Sequence, residues 1–180
     1  MAARIGTRME NFESKAEWVR TALREHEGPL IRYAAQITGD PDRARDVVQD
    51  TFLRLCAESP TRLNSHLKEW LFTVCRNRAL DVMRKENRMK PVDQIQLETS
   101  ASREPSPSAQ AEQNESTQQA FRLLESLPAN QKEVVRLKFQ GGLSYKEISR
   151  VTNLSVSNVG FLIHTAIKTL RQQMQDKELA

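Results

Sequence analysis

After Leu97 the chain carries no large apolar side chain until Phe121. A stretch so polar cannot bury enough surface to offset the entropy of ordering it, so folding must happen on either side of it. Residues 91–115 hold Pro91, Pro105 and Pro107, with one basic residue, Arg103, against five acidic ones, Asp93, Glu98, Glu104, Glu112 and Glu115. They read as an extended tether between two modules, residues 12–90 and 116–176. Aromatic residues are only 6% of the chain, and alternating apolar-polar runs are few. Cores of Leu, Val, Ile and Ala at helical spacing are the expectation. The fold class is therefore all-α: two small helical domains joined by a flexible linker.

In the first module Trp18, Val19, Ala22 and Leu23 recur at helical spacing, predicting a helix over about Ala16 to His26. Gly28-Pro29 reads as an interruption, after which Leu30, Ile31, Ala34 and Ile37 share a face of a second helix. Gly39-Asp40-Pro41 marks a boundary, with Asp40 suited to the N-cap and Pro41 to the first helical position. The third helix, about Pro41 to Ala57, would bury Ala44, Val47, Val48, Thr51 and Leu55. Its opposite face shows Asp46, Gln49, Asp50 and Leu53, which offers acceptors around one apolar knob. A loop from Ser59 to Ser65 leads into a fourth helix, about His66 to Arg88, with Leu71, Cys75, Ala79 and Val82 inward. A second stripe of that helix holds Trp70, Asn77, Asp81, Arg84 and Arg88. Its polar groups would be costly to bury unpaired, so a partner-facing surface is the alternative to a solvated one.

The second module opens with a helix over about residues 116–127, anchored by Phe121, Leu124 and Leu127, and a second runs from Pro128 to about Phe139. After the turn Gln140-Gly141-Gly142, Ser144-Tyr145-Lys146-Glu147 is a capping box. The short helix it opens, about Tyr145 to Thr152, turns Ile148 and Val151 inward. Asn153-Leu154-Ser155 is a tight connection to a last helix, about Val156 to Met174, with Val159, Ile163, Ala166 and Leu170 as its buried stripe. Short helix, three-residue turn and longer helix make a helix-turn-helix.

Net charge is only +4, but it is unevenly placed. Residues 12–58 carry seven basic against nine acidic side chains, and residues 68–90 carry seven against three. Residues 116–180 carry nine against five. Nucleic acid suits the basic parts, and solvated helix faces suit them equally well. The residues offer no paired carboxylates in a plausible pocket, no glycine-rich phosphate loop and no His/Cys metal cluster, so neither an enzyme nor a bound metal or cofactor is expected. His26, His66 and His164 are scattered and expected at the surface or in caps. Cys56 and Cys75 are expected to be ordinary small apolar residues. No apolar run reaches the roughly 18–20 residues of a membrane span, and Met1–Gly6 lacks the apolar block of a secretory signal. Cytoplasmic residence without membrane insertion is the expectation.

Three blocks in order carry a family resemblance. The first runs from Leu30-Ile31-Arg32-Tyr33-Ala34 through Gly39-Asp40-Pro41-Asp42-Arg43-Ala44-Arg45-Asp46-Val47-Val48-Gln49-Asp50-Thr51-Phe52. The second is Trp70-Leu71-Phe72-Thr73-Val74-Cys75-Arg76-Asn77-Arg78-Ala79-Leu80-Asp81 with Arg84. The third is Leu127-Pro128 followed by Gly142-Leu143-Ser144-Tyr145-Lys146-Glu147-Ile148. Together, over nearly all of residues 12–172, the chain resembles bacterial RNA polymerase sigma factors of the extracytoplasmic-function type, in the sigma-70 family.

The resemblance implies a transcription initiation factor whose partners are core RNA polymerase and promoter DNA, with an anti-sigma protein as a further candidate. It implies that the helix bearing Asp46, Gln49, Asp50 and Phe52 docks on polymerase; helical spacing puts Leu53 on that docking face and assigns Phe52 to the core. It implies that Arg62, Asn64, Ser65, Trp70, Asn77, Arg84 and Arg88 meet the −10 element, where melted bases and phosphates need contacts that compensate for lost stacking. Trp70 stands open between stacking platform and core anchor, and Asp81 with Arg84 reads first as an intrahelical pair. Arg76, Arg78, Lys85 and Lys90 add charge nearby. The helix-turn-helix then reads the −35 element, through Lys146, Arg150, Ser157, Asn158, Phe161, His164, Thr165, Lys168 and Arg171. Here the chain departs from the family pattern: Gly160, Leu162 and Thr165 stand where Lys or Arg is common. Without bidentate arginine-guanine contacts, −35 readout is expected to be weaker or differently tuned, and the −10 element to carry more of promoter choice. The rival reading is a polymerase-independent helix-turn-helix regulator, which leaves the first module without a task. A helical adaptor that kept the fold but lost promoter binding is a third.

Overall fold

The computed structural model describes residues 2–63, 65–89 and 122–178, and side chains within 14–88 and 122–175 of these ranges. Every regular element among the described residues is an α-helix, and the chain divides into two compact units, Met1–Leu97 and Glu98–Ala180. The expected tether at 91–115 lies outside the described residues. No described helix is long and apolar enough to cross a membrane.

The first unit contains α1 (Ala2–Thr38), α2 (Pro41–Ala57), the single turn α3 (Pro60–Leu63) and α4 (Leu67–Met89). Helices α1, α2 and α4 pack mutually. Between them lie Leu30, Ala34, Ala44, Val47, Leu55, Leu71, Phe72, Cys75 and Ala79, all essentially inaccessible to solvent. Tyr33 and Phe72 meet edge to face, with ring centroids 5.4 Å apart. The buried stripe expected on α2 is observed in full, with Phe52 added to it. Asp40 caps α2 as its sequence suggests, accepting from the backbone N–H of Asp42 at 2.8 Å and of Arg43 at 3.2 Å. Gly39, at φ +67°, takes the left-handed conformation that turns the chain out of α1.

Three expectations need correction. The two helices separated at Gly28-Pro29 are one continuous helix with Pro29 inside it, and it begins at Ala2 rather than near Ala16. An internal proline removes one backbone donor and crowds the preceding turn, at about 3 kcal/mol. Burial of Ala22 on one side of it and of Leu30, Tyr33 and Ala34 on the other offsets that penalty. The loop between α2 and α4 includes a helical turn, anchored by the buried Leu63. The cysteines also differ from each other: Cys75 is buried and Cys56 is exposed.

The second unit comprises a helical turn at residues 122–125, then α5 (Ala129–Phe139), α6 (Tyr145–Thr152) and α7 (Val156–Glu178). Residues 116–121, including Phe121, lie outside the described residues. Helices α5 and α6 each pack on α7 and on one another. Leu137, Leu143, Ile148, Val151, Val159, Ile163 and Ala166 form the core. The capping box is complete: Ser144 Oγ accepts from Glu147 N–H at 3.3 Å, and Ser144 N–H donates to the Glu147 carboxylate at 2.6 Å. Asn153 takes the left-handed conformation at φ 59°, and Ser155 Oγ accepts from Asn158 N–H at 3.1 Å to start α7. Ser149 Oγ donates to the Leu154 carbonyl at 2.5 Å, tying α6 to the turn.

Candidate protein and nucleic-acid interfaces

Three surfaces emerge from these helices. On α2 the periodicity that buries Val47, Val48 and Thr51 leaves Asp46, Gln49 and Leu53 outward, with Leu53 62% exposed. Asp50 is only half-exposed. Its carboxylate accepts from Arg78 Nε at 2.7 Å, so it joins α2 to α4 instead of standing free beside Gln49. A second tie between these helices is Arg43 to Glu86 at 2.5 Å. Such partly exposed pairs contribute about 0.2–1 kcal/mol each, so their effect is mainly to set how the two helices are oriented. Phe52, at 6% exposure, belongs to the core as expected.

On α4 the exposed positions are Asn77, Asp81, Arg84, Lys85, Asn87 and Arg88, and Trp70 is half-buried at the same helix's first turn. Arg84 pairs with Asp81 at 3.2 Å, the intrahelical arrangement expected from their spacing. Arg78 is taken up by Asp50, which removes it from the charge this face presents. At the helix entry Arg62 is exposed and pairs with Glu58 at 3.3 Å, and the Ser65 hydroxyl lies 3.1 Å from His66 Nδ1. Asn64 lies outside the described residues. His26 is not at the surface as expected: only 15% of its side chain is exposed. Burial lowers its pKa, with Glu25 opposing and nearby Lys68 adding to the shift.

On the second unit α6 and α7 form the helix-turn-helix. Lys146, Arg150, Ser157, Asn158, Phe161, His164, Lys168 and Arg171 are exposed, and Thr165 is half-buried. Leu162 is 6% exposed and packs inward. A leucine there therefore forfeits no base contact, and the departure from the basic pattern narrows to Gly160 and Thr165. Sequence reading missed two features of this unit. One is the Glu125 carboxylate, which takes Lys132 Nζ at 2.7 Å and also meets the buried Arg136 guanidinium. The other is Tyr145, whose ring stands beside α7 at Gly160 with room for a Cβ between them.

Comparison with known proteins gives the same division. The sequence family described as Sigma-70 region 2 matches residues 22–89, and that described as Sigma-70, region 4 matches residues 117–170. The ECF RNA polymerase sigma factor EcfG of Rhodopseudomonas palustris (strain TIE-1) is 32% identical over 142 residues, which span 77% of this chain and 75% of that protein. The ECF RNA polymerase sigma factor SigL of Mycobacterium tuberculosis (strain ATCC 25618 / H37Rv) is 29% identical over 168 residues, 91% of this chain and 92% of that one. Among solved structures, the sigma factor RpoE of Bartonella quintana, in complex with the anti-sigma factor NepR, is similar with a TM-score of 0.62 at 25% identity. That match covers 92% of this chain and 98% of RpoE.

Proposed function

The chain belongs to the extracytoplasmic-function sigma factors of the sigma-70 family, and from that premise we propose how its residues divide the work of directing RNA polymerase to promoters. The observation that carries the reading is the ordered pair of family matches, each falling on a helical unit with an outward face of the corresponding chemistry. Residues 12–90 form the polymerase-docking and −10 domain, 91–115 the linker, and 116–176 the −35 domain. On α2, Asp46, Gln49 and Leu53 meet core polymerase directly. Asp50 contributes by holding α4 through Arg78 as well as by accepting contacts. On α4 and its entry, Asn77 meets a base edge, Arg62, Arg84 and Arg88 meet phosphates, Asn64 and Ser65 line a base pocket, and Trp70 borders it. On α6 and α7, Lys146, Arg150, Lys168 and Arg171 hold the duplex backbone while Ser157, Asn158, Phe161, His164 and Thr165 face the major groove.

The role is one of binding and strand capture in the cytoplasm. The polymerase supplies bond formation, and this chain needs no cofactor of its own. Because RpoE of Bartonella quintana is described in complex with an anti-sigma factor, an anti-sigma protein is a candidate partner here as well. In-vitro transcription with bacterial core polymerase on pooled genomic fragments, with and without this chain, tests the reading. Discrete new start sites sharing an upstream element are expected. Tight, sequence-specific duplex binding without polymerase, together with no new starts, would favour the polymerase-independent regulator.

A further inference from the structure

The outward face of α7 is centred on an aromatic ring. Phe161 is 66% exposed. Around it at helical spacing stand Ser157, Asn158, His164 and Thr165, none of them Lys or Arg. The first cation on that face, Lys168, lies two turns further along. At the preceding position, Gly160, a Cβ would stand 3.7 Å from Cε2 of Tyr145, an ordinary van der Waals contact, so the ring stands beside the helix with room for a methyl group between them. Tyr145 is itself 39% exposed, and Lys138 Nζ lies 5.5 Å from its ring centroid, a cation-π contact that favours this placement. Elsewhere on α6 and α7, Lys146, Arg150, Lys168 and Arg171 are all exposed. Exposed cations suit duplex phosphates, and an exposed apolar ring suits an apolar group in the groove.

The major groove offers one such apolar group, the C5-methyl of thymine, and an Asn side chain suits adenine N6 and N7. We propose that Phe161 determines specificity in α7 by covering thymine methyl groups of an A·T-rich −35 element, with Asn158 reading adjacent adenine. This rests on the reading of α6 and α7 as the −35 module. Tyr145 is a positioning residue: its ring bounds the space that a side chain longer than a methyl group at position 160 would enter. Covering one methyl group supplies about threefold to fourfold in affinity. That is less than a good bidentate arginine-guanine pair supplies, which fits a −35 contact of modest strength.

The test uses holoenzyme assembled from the full chain and bacterial core polymerase, on templates that share one −10 element and vary the −35 hexamer. Each preferred hexamer is also made with deoxyuridine for thymine in the −35 segment alone, which deletes the methyl group and nothing else. The parent is expected to select A·T-rich hexamers and to lose about threefold to fourfold in promoter occupancy per methyl removed. Phe161→Ala should be indifferent to uracil, Phe161→Arg should shift preference toward guanine, and Tyr145→Ala should lower the thymine-to-uracil ratio part of the way. Equal occupancy of thymine and uracil templates by the parent would overturn the inference. So would Phe161→Ala retaining thymine discrimination while binding core polymerase less well, which assigns the ring to the polymerase. Holoenzyme that starts at defined sites without methyl discrimination removes this inference alone. Failure to start at any defined site removes the sigma reading and this inference with it.

Discussion

Replacing Glu125 with alanine should destabilise the second unit selectively. The Arg136 side chain is only 9% exposed, and its Nε is buried without a hydrogen-bond partner. Its charge is answered by Glu125, which also accepts from Lys132 at 2.7 Å. Removing one partner of a fully buried pair costs about 3–5 kcal/mol, because the other charge is stranded. Glu125, however, is 48% exposed. Water can take over part of its role, and the expected loss falls to about 1–2 kcal/mol. For a unit of this size that corresponds to about 4–8 °C per kcal/mol in the unfolding midpoint. Both tryptophans, Trp18 and Trp70, lie in the first unit, so their fluorescence follows that unit while far-ultraviolet circular dichroism follows both. The variant should lower a dichroism transition and leave the fluorescence midpoint in place. Adding Arg136→Met, which removes the stranded charge, should recover part of the loss. The pH dependence has a defined sign. Burial raises the Glu125 pKa, but the Lys132 hydrogen bond and the Arg136 charge outweigh it and hold it below the ordinary 4.5. The pair therefore stabilises fully above that value and loses its contribution as pH falls through the lower folded pKa, where parent and variant curves converge. A dichroism curve superimposable on the parent's at neutral pH would refute the reasoning.

Other consequences follow from the exposed faces and the thiols. Leu53→Asp should weaken association with core polymerase at least tenfold by co-sedimentation or fluorescence titration, about the 1.5–3 kcal/mol of an apolar side chain covered on docking. Because Leu53 is exposed, the variant's unfolding midpoint should stay with the parent's. Arg84→Ala with Arg88→Ala should reduce the salt dependence of promoter binding by roughly one to two phosphate equivalents, measured as the slope of affinity against salt concentration. Randomising the −35 element should cost less transcription than randomising the −10 element, and the reverse ranking would contradict the assignment of promoter choice to α4. A thiol reagent at neutral pH should modify Cys56 alone in the native chain. Cys75 is buried, and burial pushes its pKa up to about 12 despite an opposing hydrogen bond with Thr51.

Much of this protein is local chemistry and was legible as such. The Asp40 cap, the Ser144–Glu147 box, the Asn153 turn and the i, i+3, i+4 stripes of α2 and α7 follow from short-range sterics and hydrogen bonding, which a few consecutive residues determine. The outward positions of Asp46, Gln49, Leu53, Asn77 and Phe161 follow from the same periodicity. Tertiary packing decided the rest. Pro29 stays inside α1 because Leu30, Tyr33 and Ala34 bury against α2 and α4, a gain that no local window contains. Asp50 is drawn to Arg78, and Arg136 to Glu125, across separations of 28 and 11 residues. Leu162 turns inward, and Tyr145 finds Gly160 across the helix-turn-helix. Periodicity says which side of a helix a residue is on; what stands opposite it depends on how the helices pack.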